Sequence, residues 1–190
     1  MAPVFWLSDN FQGCTSLCLG TGRFLRSVLV PALVTTTDPP QVVLIQTRGR
    51  SFVDYVTKSN GTYEVDTVLE NGEIQTVTYA IVGAFSLGHD KASIYEKLLP
   101  QLVNLRFLGV GVTEQGLSSA QTTVMRDLYE LFCSLRDVCA PDGMISVINT
   151  DNVPNNGDTI RSHMLELASD DNDDNAMKDF LATRVVFHNC

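Results

Sequence analysis

The chain has 190 residues, of which 44% are hydrophobic and 18% are charged, and its formal net charge is -9. These values predict a single folded domain, and no apolar run approaches the roughly 20 residues that cross a bilayer. The excess of acidic residues disfavours nucleic acids as partners, because their binding surfaces carry clustered Lys and Arg.

In chain order, the first residues predict a strand over 16–19, a helix over 23–30 that Pro31 ends or kinks, and a strand over 41–45. Hairpin arms are predicted over 63–69 and 73–77. They are followed by a strand over 80–85, a helix over 91–99 and a strand over 107–112. The hairpin rests on Asn71-Gly72, a preferred two-residue turn.

The remaining residues predict a helix over 120–138, a strand over 144–148, a helix over 158–168, a short helix and a strand over 184–187. Alternating strands and helices are typical of a largely parallel sheet covered by helices on both faces. We therefore predict an α/β fold with a Rossmann-like, doubly wound sheet and a β-hairpin insertion, forming one domain over residues 1–190.

The cysteines, histidines and N-terminus bear on metals and location. The five cysteines include no Cys-x-x-Cys pair, and the three histidines are dispersed. The acidic run over 169–175 is not followed by the Gly and Glu of a calcium loop. We predict reduced thiols, no metal site and, without a secretory leader, a cytoplasmic location.

A glycine turn follows the first predicted strand. Gly20-Thr21-Gly22 opens the first helix, and such a turn allows a pyrophosphate to approach the backbone at a helix N-terminus. The third glycine of the usual dinucleotide fingerprint is Leu25. Two interpretations remain open, a nucleotide site and a packing turn without a ligand.

Basic residues stand near this turn and after the second strand. Arg23 and Arg26 stand in the first turns of the helix, where a positive charge is unfavourable beside the helix dipole, and a nearby phosphate would compensate this charge. Two solvated arginine side chains explain the same pattern equally well. The second strand ends without the acidic residue that binds the ribose hydroxyls of NAD. Arg48 and Arg50 follow it, and either a 2′-phosphate of NADP or an ordinary surface loop accounts for them. NAD and NADP both remain candidates.

Four segments of the chain resemble the N-terminal domain of the mannitol dehydrogenase family, the long-chain polyol dehydrogenases that include mannonate and altronate oxidoreductases. They are Leu19-Gly20-Thr21-Gly22-Arg23-Phe24-Leu25-Arg26, Asn60-Gly61-Thr62-Tyr63, Val112-Thr113-Glu114-Gln115-Gly116 and Asp151-Asn152-Val153-Pro154-Asn155-Asn156-Gly157. The last segment is similar to the Asp-Asn-x-Pro-x-Asn-Gly signature of that family and is the most specific of the four.

The resemblance implies a cofactor-binding domain of an NAD(P)-dependent polyol or hexuronate dehydrogenase, which transfers hydride between nicotinamide and a sugar alcohol or keto sugar. The resemblance implies that Gly20, Gly22, Arg23 and Phe24, with Thr21 between the glycines, surround the cofactor phosphates, that Thr113 and Glu114 line the cofactor cleft, and that Asn152 positions the nicotinamide and substrate. Arg48 joins the cofactor-binding set through its place after the second strand.

The chain departs from this family at three places. Leu25 stands where mannitol-type members tend to have His, and Thr150 replaces a common Cys. The family continues into a helical domain that carries the catalytic Lys, whereas this chain ends at Cys190, so we expect the fragment to be inactive alone. The alternative is a non-catalytic nucleotide-binding or protein-interaction module built on the same fold.

Overall fold

The computed structural model describes residues 5–6, 15–35, 41–171 and 174–189. Its nine strands, within those ranges, are β1 Phe5–Trp6, β2 Ser16–Leu19, β3 Val42–Gln46, β4 Thr62–Val68, β5 Ile74–Ala80, β6 Gly83–Ser86, β7 Phe107–Val110, β8 Ile145–Asn149 and β9 Val185–His188.

Six helical segments connect these strands in the described ranges. They are α1, with a wide π-helical turn over Leu25–Leu29 continuing as Val30–Val34; α2 Ser51–Lys58; α3, which runs through Lys91–Ser93, Ile94–Leu98 and Leu99–Gln101; α4 Thr123–Val138; α5 Asn156–Asp170; and α6 Asn175–Thr183. Among the described helices, none combines the length and the apolar character needed to cross a membrane.

Seven strands form one sheet in the order β1-β6-β3-β2-β7-β8-β9. β1 is antiparallel to β6, and every other neighbouring pair is parallel. The parallel strands therefore run third, second, first, fourth, fifth and sixth in chain order, which is the doubly wound order of dinucleotide-binding folds. The predicted Rossmann-like α/β fold is confirmed.

Helices cover both faces of this sheet, and β2 is therefore buried on both sides. Leu17 and Leu19 face the core formed with α3, α4, α5 and α6, whereas Cys18 faces the core formed with α1 and α2. All four residues of β2 are buried, as expected for the central strand of a parallel sheet.

The hairpin is an addition to the sheet. β4 and β5 pair only with each other in the described part of the chain, and Gly72 has a φ of +81° in the turn between them. At its base, the Tyr63 hydroxyl donates to the Arg26 carbonyl at 2.7 Å, which fixes the insertion against α1. Its tip exposes Val68 and Ile74.

The first helix differs from its prediction. Pro31 does not end it, because the helix continues to Val34 and Thr35 N–H donates to the Pro31 carbonyl at 3.1 Å. The wide turn before the proline is closed by Val30 N–H, which donates to the Leu25 carbonyl. Proline stands directly after this turn, at the start of the α-helical part, where a missing N–H is tolerated.

Two other segments differ from the sequence-based assignment. The eight-residue helix α2 was not predicted. The apolar run over 80–85 is divided, since Ala80 ends β5 and the central sheet is rejoined only at Gly83. The acidic run contributes Asp170 to α5 and Asp174 as the N-cap of α6, while residues 172–173 lie outside the described residues.

Candidate functional site

The chain reverses its winding direction between β2 and β7, and the two strands end side by side. Gly20 follows β2 with a φ of +116°, and a Cβ placed on it would lie 3.4 Å from backbone atoms of Gly111. Gly20 N–H donates to the Ile45 carbonyl at 2.8 Å, and Gly111 N–H donates to the Leu19 carbonyl at 2.9 Å. Glycine at position 20 thus satisfies both a backbone conformation and a close contact, at the place where such sheets bind ligands.

The turn from β2 into α1 combines an anchored and an open part. Arg26 Nε donates to the Thr21 carbonyl at 2.8 Å, which holds the loop against the helix. A Cβ on Gly22 would meet no atom within 4 Å, so the space in front of this residue is open. Arg23 and Phe24 are exposed beside it, and 60% of Phe24 is accessible.

Arg26 is occupied by contacts within the fold. Besides its bond to Thr21, the guanidinium lies over the Phe52 ring, 4.8 Å from the centroid. Its carbonyl accepts the hydrogen bond from the Tyr63 hydroxyl. These contacts connect the glycine turn, α2 and the hairpin, and they leave Arg23 as the exposed arginine of the pair.

Gly109 of β7 provides the small residue that α1 lacks at the position of the third fingerprint glycine. A Cβ on Gly109 would lie 2.5 Å from Leu29 Cδ2, which is shorter than any ordinary contact, whereas a Cβ on Gly111, directly after β7, would make an ordinary contact of 3.5 Å with Leu25 Cδ1. Close helix–strand packing requires a small residue on one of the two surfaces. Here the helix carries Leu29 and the strand carries Gly109.

The end of β3 is closed by Gln46 where an acidic residue is usual. Gln46 is buried; its Nε2 donates to the Arg48 carbonyl at 2.8 Å, and its Oε1 accepts from Phe52 N–H at 3.0 Å and Val53 N–H at 3.3 Å. The side-chain amide therefore caps the first turn of α2, although it lies outside that helix.

Arg50 is bound to two carboxylates. Its Nη1 donates to the Asp90 oxygens at 2.6 and 2.7 Å, and its Nε donates to Asp54 at 2.8 Å. Burial alone would lower the pKa of Arg50, but the hydrogen bonds to Asp90 and Asp54 raise it above its ordinary value. Asp90 also accepts from Ser86 N–H at 2.7 Å, so Arg50 joins the loops after β3 and β6.

A crevice of about 490 Å³ opens at the carboxyl ends of β3 and β7. This volume lies in the range of small-molecule sites. Its walls come from the loops after both strands and from the start of α4, and they consist of Thr47, Arg48, Gly111, Val112, Thr113, Gln115, Gly116, Thr122, Thr123 and Val124. The predicted residues Arg48 and Thr113, distant in sequence, thus share one cavity.

A second cavity of about 290 Å³ lies between α3 and α4 and shares Thr47 and Thr123 with the crevice. Leu19 and Ile45 contribute to its apolar lining. Asp127 stands on its wall, and burial, followed by repulsion from Glu130, raises the pKa of this carboxyl. The two cavities share the walls at Thr47 and Thr123, beside the switch point of the sheet, which is the place between β2 and β7 where the chain reverses its winding direction.

The loop after β7 is shaped by a close contact. A Cβ on Gly116 would lie 2.6 Å from Val112 Cγ1, so a larger residue would displace the loop. Leu117 N–H donates to the Thr113 carbonyl at 3.0 Å and closes the turn. Thr113 lines the crevice, whereas Glu114 is exposed and does not contribute to its described walls.

The asparagine-rich segment from the end of β8 to the start of α5 contains both buried and exposed asparagines. Asn149 is fully buried and its Oδ1 accepts from Val112 N–H at 3.4 Å; Asn156 is also buried and donates to the Asp151 carbonyl at 2.8 Å. Asn152 is exposed between them. The buried asparagines fix the loop beside β7, and Asn152, Pro154 and Asn155 are the exposed residues of the loop.

Gly157, the last residue of the same segment, packs against the end of β9. A Cβ there would lie 2.4 Å from the His188 carbonyl oxygen, so only glycine allows α5 to start against the end of β9. Asp158 N–H donates to Asn189 Oδ1 at 3.0 Å and strengthens this junction. The Asn-Gly pair of the motif is therefore explained by packing within the fold.

The residues at the switch point fit the pyrophosphate of a dinucleotide. Gly20 brings the backbone of the turn against β7, and Gly22 leaves free space at the start of α1. Both features permit a phosphate to approach backbone amides. Within the described residues, no group of three or more His, Cys, Asp or Glu side chains could hold a metal ion.

Sequence reasoning overlooked several residues that build this site. Gly109 and Gly111 carried a usable signal, because glycines inside a strand mark close backbone approach. Gln46 and Asp90 carried none, since their roles depend on α2 and on Arg50. Compared with protein-family models and with curated proteins, the chain matches none of them. The family resemblance stays a prediction.

Proposed function

We propose that this chain binds a nicotinamide dinucleotide across the switch point and is the cofactor-binding domain of an NAD(P)-dependent polyol or hexuronate dehydrogenase. The observation that carries the proposal is Gly20, held at a φ of +116° against the backbone of Gly111 where the strand order reverses. In doubly wound sheets this position receives the cofactor pyrophosphate.

Different residues of the chain are proposed to bind different parts of the dinucleotide. Gly20, Thr21 and Gly22 bring backbone to the pyrophosphate, with Arg23 and Phe24 exposed at the edge of the turn. Thr113 and the exposed Glu114 lie on the loop after β7, and Arg48 lines the crevice, where it is proposed to face the adenosine ribose. Asn152 is exposed on the loop after β8 and is proposed to orient the nicotinamide and the substrate oxygen. The bound cofactor supplies the hydride donor or acceptor.

Calorimetric titration of the 190-residue chain with NADH and NADPH tests the cofactor part. We expect saturable binding of at least one of them, and we expect Gly22→Ala to weaken it about tenfold or more because the added methyl enters the space proposed for the phosphate. The same methyl meets no atom within 4 Å of the protein, so the unfolding midpoint in urea should not change.

A matched control is Ala182→Ser, which adds one heavy atom at an exposed position of α6; this helix leads into β9, which lies three strands from β2 in the sheet. This variant should bind like the unmodified chain. If Gly22→Ala binds as tightly as the control, the pyrophosphate does not lie at this turn. If folded protein binds neither dinucleotide, the proposed function is wrong.

The substrate part is tested by nitrogen–proton NMR of the cofactor-saturated chain. Addition of mannitol, mannonate or fructuronate should shift the side-chain amide of Asn152, because that group is exposed and is proposed to contact the substrate oxygen. The exposed Asn60, on the loop before the hairpin, is the reference signal and should not move. An unmoved Asn152 signal would contradict the proposed role of Asn152 in this chain and leave cofactor binding intact.

A further inference from the structure

Among the described residues, the end of β3 offers no free carboxylate to a ribose hydroxyl. Gln46 occupies the usual place of the acid, and both ends of its amide are engaged with the Arg48 carbonyl and with the first amides of α2. Asp54 and Asp90, on α2 and on the loop after β6, both bind Arg50. A free 2′-hydroxyl thus finds no carboxylate at this position, although acid-to-ribose bonding is how such folds hold NAD.

Arg50 is withdrawn from ligand binding by the same contacts. Only 11% of its side chain is exposed, and Asp90 beside it is 5% exposed. Its Nη1 and Nε point to Asp90 and Asp54 at 2.6 to 2.8 Å. Of the two arginines after β3, Arg50 therefore serves the fold.

Arg48 has the opposite surroundings. It is exposed, it lines the crevice, and its guanidinium makes no ion pair with any residue in the ranges 15–35, 41–171 and 174–189. Its companions on the described walls are neutral residues from the loops after β3 and β7 and from α4. In a chain with a net charge of -9, this crevice is lined by one cation and, among the described residues, by no anion.

We propose that the site selects NADP(H) over NAD(H) and that Arg48 is the specificity-determining residue, binding the 2′-phosphate of the adenosine ribose. The inference rests on the proposed function. A phosphate carries close to two negative charges and matches the planar fork of an arginine, so charge and hydrogen-bond geometry favour the phosphorylated cofactor together. The neutral walls remove the repulsion that an acidic residue would add.

Calorimetric titration with NADPH and NADH, applied to the whole chain and to Arg48→Ala, measures the selectivity. We expect the unmodified chain to bind NADPH at least tenfold more tightly than NADH. Arg48→Ala should weaken NADPH binding about ten- to a hundredfold, as for a lost charge-assisted hydrogen bond, and should change NADH binding less than threefold. Arg48→Lys retains the charge without the fork and should give an intermediate ratio.

Lys58→Ala is the matched control, because it removes an exposed cation at the far end of α2 and should leave both affinities unchanged. Circular dichroism establishes that each variant is folded. Equal affinity of the unmodified chain for both cofactors, or an equal loss of both in Arg48→Ala, overturns the selectivity while the proposed function stands. Binding of neither cofactor overturns both.

Discussion

Arg48 and Arg50 stand two positions apart after β3, yet their side chains have different roles. Asp90 decides the difference, because it is buried and needs a cation and amide donors to compensate its charge. Arg50 supplies that cation and Arg48 stays in the crevice. Of two arginines in one loop, Arg50 is thus part of the fold and Arg48 is exposed in the crevice.

Replacing Arg50 with Ala should destabilise the fold. The substitution leaves the buried Asp90 carboxylate without its cation, and breaking one side of a buried pair costs about 3 kcal/mol. Urea unfolding followed by circular dichroism measures the loss. Lys91→Ala removes the exposed pair with Glu130 and should leave the midpoint unchanged; equal effects of the two substitutions would contradict a buried role for Arg50.

At the scale of elements, the packing of α1 on β7 determines how the glycine turn is held. Leu29 lies over Gly109, where a Cβ would come within 2.5 Å of Leu29 Cδ2, so the small residue at this contact belongs to the strand and not to the helix. The departure from the usual fingerprint is compensated on the neighbouring strand. The turn therefore keeps its geometry with two glycines, Gly20 and Gly22.

A double-mutant cycle tests this compensation. Gly109→Ala places a methyl 2.5 Å from Leu29 Cδ2 and should cost about 1 to 3 kcal/mol, and Leu29→Ala should cost about 2 kcal/mol or more by leaving a cavity. The double variant should be more stable than the sum predicts by at least about 0.5 kcal/mol, because the new methyl enters the space that Leu29 vacates. Simple additivity in denaturant unfolding would show that the two side chains do not share this space.

Elements with their own local signal were predicted well from the sequence. The run over 16–19 matches β2, Asn71-Gly72 marked the hairpin, and the periodic apolar face of α4 is buried at Leu128 and Leu135. α2 was missed because eight residues give little more than two helical turns, and the side chain that caps it, Gln46, belongs to the preceding strand. Local patterns do not show a cap supplied from another element.

The candidate site follows the same division. Gly20, Gly22 and Arg48 were found from their positions next to predicted strands, and the structure places them at the switch point and in the crevice. The engagement of Arg50 by Asp90, which lies 40 residues further along the chain, depends on β3 pairing with β6. Contacts of this kind are visible only once the sheet order is known.

At the scale of the whole molecule, several buried thiol and phenol groups are neutral in the folded state. Burial raises the pKa of Cys139 to about 11 from an ordinary value of 9.0, and burial also raises the pKa of Tyr63 and Tyr129. Each group ionises more readily in the unfolded chain. Their contribution to stability is therefore complete below pH 9 and is lost as the pH rises.

We expect the free energy of unfolding to fall progressively between pH 9 and pH 11. Cys139 accounts for part of the slope, because its Sγ donates to the Leu102 carbonyl at 3.3 Å only when protonated. Urea unfolding of the unmodified chain and of Cys139→Ala at pH 8, 9, 10 and 10.5 measures both slopes. The variant is less stable at pH 8 but should lose less stability across this range; parallel slopes would exclude Cys139 as a source.

The position of β2 in the sheet also has a consequence for synthesis. β2 is translated before the other five parallel strands, and its two neighbours follow about 26 and about 91 residues later, as Ser16 pairs with both Val42 and Phe107. A nascent chain must therefore keep one apolar edge of β2 unpaired until β7 has left the ribosome. Such long-range pairing slows folding and exposes strand edges to aggregation, so the strand order that creates the switch point also lengthens the time for which the new chain can aggregate.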